Sequence, residues 1–407
     1  MTIFVTAGGT GGHIFPGYAL YGELTQRGHE VLFVGADVDY TKFECLERLG
    51  NRFIGLPVQQ YYRKKLWKNA ASSKRLFSSV RKARALIRAI RPDVCVGMGG
   101  FASAPMLIAC RKSGIPYCIA EQNAWPGRAN KHFARKAAAL FLNFRHALEL
   151  FSARARKRAH VTGNPVRPNI GKVAQGEARK RMGVSGQDFV LGVMGGSQGA
   201  QAINNAVLAI ANRHRNLTIL WSCGRRNYDE LARNISGLSN IHLYPFVDDM
   251  AAFLSASNLV ISRAGATSLS ELAACQTPSI LIPYPYASDD HQRRNARAWE
   301  EAGAAVVVTE GQDFDEILEH ILDDLVQDRQ QLTEMCKAAS RLYDPRTLAR
   351  MADLVEEIAR GERPAVPEGA AEEEEPEIET ESAPEPESGP KRTQKRGEKQ
   401  KRKEKKQ

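Results

Sequence analysis

The chain has 407 residues, with 57 Lys or Arg against 46 Asp or Glu for a net charge of +11, and seven Cys. That length implies two domains with chain to spare, and the composition excludes collagen-like, coiled-coil and small disulfide-framework proteins. Ten Glu in 364–390, then ten Lys or Arg with two Glu in 391–407, leave the tail at −2, so residues 1–363 carry +13 and point to phosphate-rich partners: nucleic acid, anionic lipid or nucleotide.

In chain order, residues 3–7 predict a short buried strand, Gly8 to Gly12 a glycine loop, residues 16–28 a helix and residues 31–35 a second strand. This β-loop-α-β unit is the building block of parallel α/β domains. A second copy follows, with a strand at 189–194, a glycine loop at 195–200, a helix at 201–213 and a strand at 217–221. Two such openings predict two Rossmann-like domains of similar size. Further strands are expected at 94–98, 117–120, 161–162, 259–262, 279–283 and 305–309, each ending in a loop of the kind where open α/β sheets place ligands. The two prolines of Gly163-Asn164-Pro165-Val166-Arg167-Pro168 mark the hinge. Past 363 the Pro/Glu-rich and then Lys/Arg-rich chain cannot bury a core and reads as disordered.

The seven Cys include no C-x-x-C pair and mostly interrupt apolar runs, so they read as reduced thiols of a cytosolic protein. Met1 leads straight into a strand, without the pattern of a signal peptide, and no apolar run reaches the length of a spanning helix. Membrane contact is expected to be peripheral.

Gly8-Gly9-Thr10-Gly11-Gly12-His13 lets backbone approach a ligand, and the N–H groups of the helix start attract an anion. It is not G-x-G-x-x-G, no acidic residue sits cleanly at the end of the second strand, and no phosphate-binding G-x-x-x-x-G-K-[ST] occurs. The competing reading is a tight strand-to-helix turn. His13 at the loop mouth suits a base or hydrogen-bond partner, or a helix-start residue bonding its own loop. Ser197 in Gly195-Gly196-Ser197-Gln198-Gly199-Ala200 fits either phosphate oxygens or a helix cap. Residues 262–271 build a third backbone nest, and Glu271 fits either ribose hydroxyls or the favourable end of a helix dipole. Asp289-Asp290-His291-Gln292 lacks the spaced D-x-D of metal-dependent sugar-nucleotide enzymes, so Gln292 bonding sugar hydroxyls is favoured over a metal site.

Residues 48–92 contain thirteen Lys or Arg and no Asp or Glu. As a helix, 73–90 places Leu76, Val80, Ala83, Ile87 and Ile90 on one face and Lys74, Arg81, Arg84 and Arg88 on another, with Phe77 among the cations. Tyr61, Tyr62, Leu66 and Trp67 alternate with Arg63, Lys64, Lys65 and Lys68 just before it. The pattern fits an anionic leaflet, RNA, or a merely solvated surface.

These motifs, with Gly97-Met98-Gly99-Gly100, Glu121-Gln122-Asn123, Phe246-Val247-Asp248-Asp249-Met250 and His291-Gln292, occur in an order that resembles the MurG family of peptidoglycan N-acetylglucosaminyltransferases over about residues 1–360. The resemblance implies an α/β GT-B fold of two Rossmann-like domains facing a central cleft. Residues 1–163 would form the acceptor- and membrane-facing domain, with a helix near 340–360 packing back on it. Residues 164–340 would bind the donor, and 364–407 would be the disordered acidic-then-basic tail. It implies inverting transfer of N-acetylglucosamine from UDP-N-acetylglucosamine to the C4 hydroxyl of the muramic acid in lipid I, giving lipid II. The implied location is the cytoplasmic face of the bacterial membrane, with the anionic leaflet met by residues 61–91 and cell-wall assembly proteins as further partners. No nucleic acid, metal or cofactor is expected. Carried over by motif, Thr10, Gly11 and Gly12 would lie by the donor, Asn123 would bond its sugar, and Arg167 and Ser197 would approach the diphosphate. Val247 would meet uracil through its backbone, Ala266, Thr267, Ser268, Leu269 and Ser270 would line the nucleotide, Glu271 would bind ribose, and Gln292 the sugar hydroxyls. His13 is the candidate base and Glu121 the alternative. Ala120 stands where many members have His, and the tail has no family counterpart. Glycosyl transfer to diacylglycerol, a sugar-nucleotide 2-epimerase of the same fold, and a binding scaffold with a dead cleft are the competing functions.

Overall fold

The structure is a computed structural model that describes residues 1–58, 69–196 and 199–365, with side chains omitted for 69–73. The aromatic and basic run 61–68, Ser197 and the charged tail beyond 365 lie outside the described residues.

The first sheet contains β1 (Thr2–Thr6), β2 (Glu30–Ala36), β3 (Phe53–Leu56), β4 (Val94–Gly97), β5 (Tyr117–Glu121), β6 (Ala139–Leu142) and β7 (Ala159–Val161), in the order β3-β2-β1-β4-β5-β6-β7. The second contains β8 (Val190–Met194), β9 (Thr218–Ser222), β10 (Ile241–Tyr244), β11 (Leu259–Ser262), β12 (Ser279–Leu281) and β13 (Ala305–Val307), in the order β10-β9-β8-β11-β12-β13. Neighbouring strands are parallel in both, so the architecture is two Rossmann-like units of the GT-B type. Both strand orders reverse direction beside the opening strand, between β1 and β4 and between β8 and β11. Such switch points leave a crevice at the carboxyl ends of the strands, and here they place the loops after Thr6, Gly97, Met194 and Ser262 at the crevices.

Three strands escape the sequence reading. β3 and β10 are the outer strands of their sheets, and β10 is only half-buried, so neither carries a continuous apolar run. β6 lies in an Ala-rich run, Ala137 to Phe144, that reads equally well as helix.

The first helix, α1 (Gly11–Gln26), opens at the glycine loop rather than at Pro16, which falls inside it. Proline has no N–H, so the Gly12 carbonyl four residues earlier loses its helical donor. Thr267, from the second half of the chain, supplies one: its hydroxyl donates to Gly12 O at 2.9 Å. The basic helix α2 (Asn69–Ile90) buries Ala83 and Ile87 and packs Leu86 and Ile90 against the first core, next to α3 (Ser103–Ser113), while Leu76 and Val80 are half-buried. Lys74, Arg75, Arg81, Lys82 and Arg88 face outward, and Phe77 among them is 76% exposed; Arg84, expected on that face, is instead half-buried with its Nε covered.

In the second half, α4 (Gln201–Arg213) packs on β8 and β9, and α5 (Ala266–Ala274) and α6 (His291–Glu301) follow β11 and β12. The last helix, α7 (Thr347–Ala359), returns to the first sheet. Its Met351, Ala352, Val355 and Ile358 join the cluster of Ile3, Val5, Leu20 and Leu24, and Arg27 of the first half bonds Asp353 at 2.6 Å and Glu356 at 3.1 Å. The outgoing and returning chains meet where the Thr347 hydroxyl donates to Thr162 O at 2.6 Å. Gly163 (φ +84°) has no room for a Cβ, which would lie 2.6 Å from that hydroxyl.

Met351→Ala should destabilise the first unit by about 2–5 kcal/mol, read from urea unfolding, because a fully buried side chain leaves a cavity under β1 and β4.

Candidate active site

The crevice of the first sheet is built backbone against backbone. Gly8 and Gly100 touch so closely that a Cβ on Gly100 (φ +80°) would lie 1.9 Å from Gly8 O, so only glycine fits. Gly9 N–H donates to the Asp39 carboxylate at 2.7 Å, and Asp39 is buried. Asp39 is not at the strand end itself: β2 stops at Ala36, and the acid lies three residues on, in the helical turn Asp37–Lys42. Burial raises the Asp39 pKa and the Gly9 N–H opposes that. One loop N–H is therefore satisfied internally. The first α1 bonds run from His13 and Ile14 N–H to Thr10 O, so the N–H groups of Gly11 and Gly12 precede the ladder and suit an anion. Thr10 is exposed at the lip.

His13 points from α1 toward the ends of β4 and β5. Its Nδ1 is 3.2 Å from Gln122 Oε1. Burial lowers its pKa, with Glu121 opposing the shift and His291 adding to it, so the imidazole is neutral at neutral pH.

Glu121 is 3% exposed and fully engaged. One oxygen accepts from Asn123 N–H and its amide at 3.0 and 3.2 Å, and the other from Gly127 N–H and Asn130 at 3.0 and 2.8 Å. Four N–H donors fill the carboxylate, which pins the loop carrying Asn123.

The second sheet contributes the start of α5. Its first ladder bond is Leu269 N–H to Gly265 O at 3.0 Å, which leaves Ala266, Thr267 and Ser268 N–H pointing out of the helix start. Leu269 and Ala266 are buried, and the Ser270 hydroxyl returns to Ala266 O at 2.9 Å, so these residues can meet a ligand by backbone rather than side chain. The Val247 side chain is likewise in the second core. Arg167 and Glu271, separate in the sequence reading, are brought onto each other: Nε and Nη2 of Arg167 both reach Glu271 Oε1 at 2.9 Å. Burial raises the Glu271 pKa and Arg167 opposes it. The same guanidinium lies 4.8 Å over the Phe15 ring of α1, so the pair sits where the two halves meet.

Gln292 uses its carbonyl on Tyr284 N–H at 2.9 Å, which frees its amide N–H groups. Asp289 and Asp290, just before α6, both adopt left-handed backbone (φ 54° and 55°), a strained pair that sets where that helix begins. One turn on from Gln292, Asn295 is wholly buried and links the halves. Its oxygen accepts from Ala124 N–H at 2.8 Å, and its amide donates to Ala264 O at 3.1 Å and Asn123 Oδ1 at 3.2 Å. Beside it, Arg294 lies 3.8 Å from the Trp125 ring centre and Lys131 4.8 Å from it. Sequence reasoning missed Asn295, Gln122, Trp125 and Asp39. The i, i+3 spacing of Gln292 and Asn295, which puts both on one helix face, was the available signal for the first.

Next to this centre a cavity of about 880 Å³ is lined by Thr10, Phe15, Arg48, Arg167, Arg226 and Phe246, among others. Its cations outnumber its acids, which suits a phosphorylated ligand. The site thus joins His13, Asn123, Arg167, Glu271 and Gln292 with two helix starts.

Residues 3–142 match the glycosyltransferase family 28 N-terminal domain and residues 190–358 its C-terminal domain. The fold and site therefore define a two-domain glycosyltransferase. A UDP-N-acetylglucosamine–N-acetylmuramyl-(pentapeptide) pyrophosphoryl-undecaprenol N-acetylglucosamine transferase from Halothermothrix orenii is 36% identical over 379 residues, covering 89% of this chain and 100% of the relative. One of the same name from Chlorobaculum tepidum is 36% identical over 362 residues, covering 87% and 98%. The chain belongs to this transferase family. Among solved structures, Acinetobacter baumannii MurG shares the fold with a TM-score of 0.67 at 24% identity, covering 88% of this chain and 99% of that one. A UDP-GlcNAc 2-epimerase from Neisseria meningitidis shares it at 0.62 and 13%, covering 88% and 100%.

Asn295→Asp keeps the acceptor for Ala124 but removes both donors, and should lower stability by about 3 kcal/mol in thermal or urea unfolding.

Proposed function

We infer that the chain transfers N-acetylglucosamine from UDP-N-acetylglucosamine to the C4 hydroxyl of the muramic acid in lipid I, forming lipid II with inversion. The match to transferases of that name over 87–89% of the chain and nearly all of each relative carries this reading. The fold alone is shared with an epimerase, so it does not choose between them, and the sequence relatives favour the transferase.

In this reading the acceptor hydroxyl attacks the anomeric carbon opposite the UDP. A new C–O bond forms, the bond to the β-phosphate oxygen breaks with its electron pair leaving on UDP, and the hydroxyl proton passes to His13. A neutral, half-buried imidazole supports that assignment, and the four donors on Glu121 favour a loop-holding role for it over proton removal. Arg167 and the N–H groups at the start of α5 would steady charge on the leaving diphosphate, with Ser197 as a further contact. Thr10, Gly11 and Gly12 would flank the donor, and Asn123 and Gln292 its sugar. The Val247 peptide would meet uracil, residues 266–270 the nucleotide and Glu271 the ribose, sharing its carboxylate with Arg167. Residues 1–163 would serve the acceptor and 164–340 the donor.

The outward face of α2, with Phe77 among five exposed cations, supports peripheral docking on an anionic cytoplasmic leaflet. No helix among the described residues is long and apolar enough to cross a membrane.

Labelled UDP-N-acetylglucosamine incubated with a lipid I analogue should yield labelled lipid product, undiminished by chelator. No transfer would sink the reading, and loss on chelation would remove its metal-free part. His13→Ala should lower kcat by about 10²–10⁴-fold. In the wild type, kcat/KM should fall on acidification with a midpoint below the ordinary histidine value of 6.5, because neutral His13 is the active form and burial lowers its pKa; a midpoint above 6.5 would contradict this. Phe77→Asp should weaken binding to anionic vesicles while leaving turnover of a soluble acceptor analogue unchanged.

A further inference from the structure

The Glu121-Gln122-Asn123 segment holds a residue to which no role has yet been given. Gln122 is 2% exposed, and both ends of its amide are committed. Nε2 donates to Met98 O at 2.8 Å, and Oε1 faces His13 Nδ1 at 3.2 Å. A peptide carbonyl only accepts, so the amide nitrogen must be the atom facing Met98. That fixes the oxygen toward His13, and an oxygen can only accept from the ring. The Gln122 backbone is held in turn, its carbonyl accepting from the Asn143 amide at 2.9 Å.

We propose that Gln122 is a positioning residue that holds His13 in the Nδ1–H tautomer and so leaves the Nε2 lone pair free to take the acceptor proton. The inference rests on the reading of His13 as base. With Nδ1 engaged by Gln122, Nε2 is the ring nitrogen left to accept a proton from substrate. The surrounding backbone is cut to fit the pair. Gly99 (φ +100°) leaves no room for a Cβ, which would lie 2.8 Å from His13 Nδ1 and 3.5 Å from Gln122 Oε1. The charged or titratable groups that act on the ring are Glu121 at the end of β5 and His291 at the start of α6; the 98–102 loop carries none. Glu121 is bonded to Asn123, Gly127 and Asn130 rather than to the ring, so the side chain that selects the protonated ring nitrogen is Gln122, with the Met98 carbonyl it anchors as a second acceptor for the ring.

Two measurements test this. In protein labelled with nitrogen-15 histidine, ring proton–nitrogen correlations assigned by comparison with His13→Ala should show His13 protonated at Nδ1 and bare at Nε2 above its titration. The reverse pattern overturns the proposal. Gln122→Met should lower kcat about 10- to 100-fold with KM for UDP-N-acetylglucosamine within about twofold, and should add nothing to the loss in His13→Ala. Wild-type kcat in Gln122→Met, or a further full loss on the His13→Ala background, also overturns it. Should Gln122→Met fail to fold, the wild-type spectrum decides. Full activity in His13→Ala would instead sink the reading of His13 as base, and the spectrum then judges the tautomer by itself.

Discussion

A single buried amide sets the geometry of the cleft. Asn295 sits on a helix of the second half, yet its three hydrogen bonds reach Ala124 and Asn123 of the first and Ala264 of the second. Each partner is a loop residue just past a strand end, and loops have few other means of fixing their position. A buried carboxamide with unmet bonds is costly, so the two loops are held where Asn295 can satisfy all three bonds at once. The loop carrying Asn123, the nest before α5 and the helix bearing Gln292 are thereby placed relative to one another.

The same logic appears at Gly12. Proline inside a helix is usually read as a local defect, and here its missing donor is supplied from across the cleft by Thr267. The glycine loop beside the candidate base and the helix start expected to hold the nucleotide are consequently joined through an atom that a regular helix would have used internally. Arg167 makes a third such link, bonded to Glu271 and resting on Phe15.

Much of the architecture was legible in the residues. Apolar runs followed by glycine loops located both opening units, and the face assignment along α2 matched its burial, with Phe77 left outside, except at Arg84, which is half-buried. Strands at the sheet margins were not legible, because an outer strand such as Ile241–Tyr244 is half-buried and carries no continuous apolar signal. Site residues on motifs were found, but their partnerships were not. Nothing in the chain order links Asn295 to Ala124, or Gln122 to His13, since these contacts depend on which loops the sheet order brings side by side. The early end given to the second strand hid Asp39 for a similar reason: its partner, Gly9, lies 30 positions away.

The return of the last helix to the first sheet has a mechanical meaning. The polypeptide passes between the halves twice, once at 162–168 and again just before Thr347, and the two passages touch through the Thr347 hydroxyl and Thr162. One tether would permit a body to swivel about any axis. Two tethers fastened side by side behave as a door hinge and leave chiefly one arc of travel. In the proposed reading, a donor held by the second half would approach His13 along that arc, at an angle set by the hinge line.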